Sequence, residues 1–146
     1  MLFDRLLGLF KSDNQYSQLL NINDDQFSGM SCELVRSNEF IQCMNIVINN
    51  FRHKYEKINK KFIKYRKLDP EPIKLKNEIR IQLYHMRKVR ELFTRALNVV
   101  TNCILVHQND NRIVQIMKIS TEMARLESII SNLTILSNSL DLLLRT

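Results

Sequence analysis

Apolar residues recur along most of this chain at intervals of three and four, the signature of amphipathic helices, and the intervals persist over three long segments. From Asn38 onward, Phe40, Met44, Val47, Phe51, Tyr55, Ile58, Phe62 and Tyr65 form one continuous stripe, which predicts a first helix over about 38–67. Leu68-Asp69-Pro70-Glu71-Pro72 ends it, because proline disfavours helix in the residue before it and has no N–H to donate. Pro72 suits the opening turn of a second helix. That helix is predicted over about 73–106, through Leu75, Ile79, Leu83, Met86, Val89, Phe93, Leu97, Val100 and Ile104. A third, over about 110–145, carries Ile116, Ile119, Met123, Leu126, Ile130, Leu133, Leu140 and Leu143. The short loop after the first helix calls for an antiparallel hairpin. Between the second and third lies Gln108-Asn109-Asp110-Asn111, with neither glycine nor proline, so this joint is expected to be soft: bent in one state and continuous in another. Asp110 is placed to cap the third helix.

Ahead of these segments the pattern changes twice. MLFDRLLGLF holds seven large apolar side chains in ten residues, and residues 12–37 then form a polar linker. On a helix, Leu2, Phe3, Leu6, Leu7 and Phe10 fall on one side, with Asp4, Arg5, Gly8 and Lys11 elsewhere, the arrangement of an interfacial amphipathic helix over residues 1–11. An export signal is a poorer fit, because Asp4 interrupts early and Lys11-Ser12-Asp13 follows in place of a small-residue cleavage site. The run is also too short to span a bilayer, which takes about 20 apolar residues. The remaining alternative is that the tip folds back onto the helices.

Composition reinforces the helical reading. The 146 residues suit one domain with a core of its own, and two glycines and two prolines leave little material for tight turns or phosphate-cradling loops. An all-α fold follows. Cys32, Cys43 and Cys103 are odd in number, lack metal-type spacing and sit among apolar neighbours; read as free, small hydrophobes, they point to a reducing, intracellular setting. Asn132-Leu133-Thr134 matches a glycosylation sequon but is read as a chance match without an export signal.

Charge is concentrated. The chain has 22 basic and 15 acidic side chains, net +7, and the stretch from Arg52 to Arg95 alone carries fifteen basic against five acidic residues. The block straddles the predicted hairpin turn, with Lys54, Lys57, Lys60, Lys61, Lys64, Arg66 and Lys67 before it and Lys74, Lys76, Arg80, Arg87, Lys88 and Arg90 after it. Like charges on neighbouring turns repel unless a polyanion compensates, so an anionic partner is the expectation. Catalytic patterns are missing: there is no P-loop, HExxH or nucleophile elbow, and His53, His85 and His107 are far apart. Cys103 and His107 are four apart, but two ligands fall short of the four of a structural zinc site. Neither an enzyme nor a cofactor is expected.

Nucleic acid would account for the basic residues, through phosphate neutralisation, but leaves the apolar tip without a role. An anionic membrane accounts for both, since each Lys or Arg near such a surface contributes about 1 kcal/mol and the tip adds insertion. A helical scaffold or virion component is a third class. An apolar tip, a polar linker, a basic first helix, a turn and a long second helix leading through a soft joint to a third resemble the ESCRT-III family. The likeness is greatest to its archaeal cell-division branch, CdvB, notably in EIRIQLYHMRKVRELFTRALNVVTNCILV over residues 78–106. The resemblance implies cytoplasmic subunits that polymerise, with themselves and with paralogues, on the inner face of an anionic membrane. It implies a third helix able to extend in the polymer, and constriction or scission of membrane necks in division, vesicle formation or virus release. The third helix runs out at Leu143-Leu144-Arg145-Thr146 without the family's acidic autoinhibitory helix or ATPase-docking motif, so a recycling AAA ATPase is expected to act only indirectly.

Overall fold

A computed structural model describes residues 32–65, 72–103 and 112–145, and the secondary structure among them is helical, with no strand. The elements are α1 (Cys32–Val35), α2 (Asn38–Tyr65), α3 (Pro72–Thr101) and α4 (Arg112–Arg145). The expectation of an all-α chain holds. The apolar tip, the first part of the linker, Arg66, Lys67 and the joint at 108–111 lie outside the described residues.

Local chemistry sets the ends. Ser37 caps α2, its hydroxyl accepting from the Phe40 N–H at 3.2 Å and donating to the Leu34 carbonyl at 2.6 Å. Pro72 opens α3, where its missing N–H costs nothing. α3 ends at Thr101, short of the 106 expected from the apolar period; Cys103 N–H reaches back to the Val100 carbonyl at 3.4 Å, a tightened final turn. Arg112 reaches across this end: its guanidinium donates to the carbonyl of Cys103, just past the helix, at 3.0 Å and to that of Thr101, its last residue, at 3.5 Å.

The helices pack side by side around one core. Phe40, early in α2, meets Phe93, late in α3, edge-on at 6.2 Å, while Lys61, late in α2, bonds Glu78, early in α3. α4 lies along both: Arg90–Glu127 and Lys76–Asp141 tie it to α3, and Arg125 donates to Asn49 of α2 at 2.6 Å. Phe40, Met44, Phe51, Ile79, Met86, Phe93, Ile119 and Leu126 are all fully buried, each contributing up to about 1.5–3 kcal/mol. The apolar stripes predict these positions. Leu143 is an exception, exposed beyond the end of the core.

One stretch read as linker belongs to the fold. Val35 is fully buried and Leu34 packs against the core, and the Gln115 amide donates to the Val35 carbonyl at 2.8 Å and the Ser37 carbonyl at 3.2 Å. An apolar pair inside a polar stretch is too short to show a period, which is why sequence pattern passes over it.

Candidate functional site

Lys54, Lys57, Lys61 and Lys64 recur at three- and four-residue steps, so the helical period sets them along one flank of α2. Beside that flank is an open cleft of about 320 Å³ lined by Asn50, His53, Lys54 and Lys57. A smaller one, about 150 Å³, adjoins it and is lined by Lys54, Lys57, Ile58 and Lys61 of α2 with Glu78 and Gln82 of α3. No residue of α4 lines either cleft. Lys54 is half-buried, and that burial, with the charge of Lys57 beside it, holds its ammonium below the usual lysine range. Lys57, Lys60 and Lys64 are exposed and have no carboxylate partner among the described residues. Lys61 does have one: its ammonium donates to both Glu78 oxygens, at 2.9 and 3.1 Å.

The basic residues of α3 divide between two places. Lys74 is exposed, and Lys88 lies 3.9 Å from Glu91 and 5.8 Å from the centre of the Tyr84 ring. Lys76 pairs with Asp141 at 2.5 Å, and its hydrogen bond holds the Asp141 carboxyl below the usual range, with Arg80 adding to the local positive field. Arg90 pairs with Glu127 at 3.2 Å. Lys76, Arg80 and Arg90 therefore serve the seam between α3 and α4, while Arg87 is exposed seven residues from Arg80, on the same side of the helix. Part of the charged block is thus drawn into the seam between α3 and α4, apart from the lysines of α2. Leu2, Phe3, Leu6, Leu7, Phe10, Arg66 and Lys67 lie outside the described residues.

Other titratable groups are structural. His85 is 2% exposed, with its pKa pushed down to about 4 by burial first and the nearby Lys54 charge second, so it is neutral at pH 7. Burial pushes the Cys43 thiol up to about 11. Cys43 is free, as expected of a small hydrophobe, but Cys103 is disulfide-bonded, which corrects the reading of all three cysteines as free thiols and removes their support for a reducing compartment. Spacing alone does not reveal a bond between residues so distant in sequence. Among the described residues no three His, Cys, Asp or Glu side chains converge on a metal-sized site. None of their helices is long and apolar enough to cross a membrane.

Sequence reasoning missed Gln115 and Arg112, which fasten the start of α4 to α1 and to the end of α3. Gln115 had a legible signal, a polar residue four before Ile119 and eleven before Leu126, on the apolar stripe. No family model, curated protein or solved structure matches the chain.

Proposed function

We propose that this chain is a membrane-remodelling subunit that polymerises on anionic membranes and drives constriction or scission. The observation that carries the reading is the flank of α2, where Lys57, Lys60 and Lys64 are exposed with no carboxylate partner among the described residues, beside the partly desolvated Lys54. At about 1 kcal/mol per Lys near an anionic leaflet, such a flank supplies reversible attachment. Insertion of Leu2, Phe3, Leu6, Leu7 and Phe10 adds a second, salt-resistant contribution. Attachment is peripheral, with the chain itself and ESCRT-III-like paralogues as partners and an AAA ATPase acting indirectly.

In this reading α2 and α3 form the membrane-facing hairpin and α4 is the moving part. Detaching α4 exposes Ile119, Leu126, Ile129, Ile130, Leu133, Leu136 and Leu140, a loss of about 10–20 kcal/mol at about 1.5–3 kcal/mol each, even before the bonds of Gln115 and Arg125 are broken. Extension therefore requires a neighbouring subunit to cover the same residues, which couples opening to polymerisation. Spin labels on α2 and α4 are expected to move apart in polymer relative to free protein; an unchanged distance contradicts the switch.

Co-sedimentation tests the binding itself. The chain is expected to pellet with vesicles containing anionic lipid and to retain part of that binding at high salt through the tip. Affinity for DNA or RNA that exceeds vesicle binding, and falls steeply with salt, would move the basic flank to the nucleic-acid reading.

A further inference from the structure

α4 is apolar on two sides. One side fills the core; along the other, Ile113, Met117, Ala124, Ser128, Ile135 and Leu142 follow at steps of four and seven, and all are exposed. The large ones are far from marginal: Ile113 is 70% exposed, Met117 64%, Ile135 59% and Leu142 64%. No charged residue interrupts the line. Glu127 and Asp141 are turned to α3 by Arg90 and Lys76, and Arg125 to α2 by Asn49. A solvent-facing helix side ordinarily carries charge, so an uncharged side with four large apolar residues along 34 residues is an interaction surface.

We propose that this side of α4 pairs with the same side of a second copy of the chain, antiparallel, about a two-fold axis midway between Ala124 and Ser128. Three observations select that occupant. First, the order of sizes reads the same in both directions: large at Ile113 and Met117, small at Ala124 and Ser128, large at Ile135 and Leu142. An isologous contact needs that self-complementarity, because each end of one helix meets the opposite end of its partner. Second, a chain of net charge +7 repels its own copy through its basic flank, whereas this line is neutral. Third, a helix of 34 residues is about 50 Å long, and a strip about 12 Å wide along it covers about 600 Å² per copy. The total, about 1,200 Å², lies at the lower edge of stable interfaces, which makes the pair reversible. The pairing is closed, requires no lipid, and stands apart from the membrane reading.

Sedimentation velocity of the full chain without lipid, from about 1 to 300 μM, tests it. A monomer–dimer equilibrium is expected, and Met117→Glu or Ile135→Glu is expected to raise its dissociation constant at least about tenfold. Both sites are exposed, so circular dichroism should be unchanged in the variants. Direction is read from spin labels: a label at Ser128→Cys should lie close to its counterpart, whereas labels at Met117→Cys should be about 27 Å apart, being nine residues either side of the axis at about 1.5 Å per residue. Cys43 is buried and stays unlabelled. A chain monomeric throughout, a dimer indifferent to both substitutions, assembly through this side into species larger than dimers, or short distances at both labels overturns the proposal. A dimer that appears only after residues 1–11 are deleted also overturns it, by making the chain's own apolar tip the occupant.

Discussion

His85 sits 2% exposed on α3, and its pKa falls from an ordinary 6.5 to about 4 because burial and the Lys54 ammonium both disfavour a second positive charge. Above pH 6.5 the histidine is neutral in folded and unfolded chains alike. Below it the unfolded chain takes up a proton that the folded chain refuses, so stability declines as pH falls. The decline levels off near pH 4, where the folded state protonates as well. A span of 2.5 pH units at about 1.4 kcal/mol each gives a loss of about 3 kcal/mol, a large part of the 5–15 kcal/mol typical of a domain. Asp141 acts in the same direction but lower: Lys76 holds its pKa below the ordinary 3.8, so its contribution is lost only under more acid conditions. Urea unfolding of wild type and His85→Gln at half-unit steps from pH 7.5 to 4 separates the contributions, because glutamine does not titrate. The difference between the two curves is expected to shrink by about 3 kcal/mol between pH 6.5 and 4. Parallel loss of stability in the two proteins would refute the reasoning.

Gln115→Ala leaves the buried Val35 carbonyl without its donor and is expected to cost about 1–3 kcal/mol, read as a lower urea midpoint. Thiol titration of denatured, unreduced protein is expected to find one free cysteine of the three, with reduction or Cys103→Ser costing about 2–4 kcal/mol of stability; three free thiols before reduction would contradict the bond. Deleting residues 1–11 should spare vesicle binding at low salt and abolish it as salt rises, because charge is screened over about 8 Å at physiological ionic strength and insertion is not. Reversing Lys57, Lys60 and Lys64 should do the opposite, and Lys61 is left intact because it holds Glu78.

The helices were legible in the sequence because each is long enough to repeat its apolar period many times, and the stripe positions from Phe40 to Phe62 and from Leu75 to Val100 are buried, except Tyr55 and Leu97, which are partly so. What fastens them was less legible. Arg112 on the end of α3, Gln115 on α1, and the disulfide of Cys103 join residues distant in sequence or act through backbone carbonyls, and neither kind of contact leaves a local pattern. The candidate site was legible as an excess of charge but not as a surface. Glu78, Asp141, Glu91 and Glu127 engage Lys61, Lys76, Lys88 and Arg90, and only packing decides which lysine meets a carboxylate. The uncharged outer side of α4 was hidden for a related reason, since a helix apolar on two sides shows no single stripe.

The central claim, assembly on an anionic membrane, is tested most directly by negative-stain microscopy of the full chain mixed with vesicles containing anionic lipid, beside the same vesicles without it. Coats, rings or tubules on the anionic vesicles, absent from neutral ones, are predicted. Vesicles that stay spherical and bare while the protein remains dispersed in solution would contradict the account.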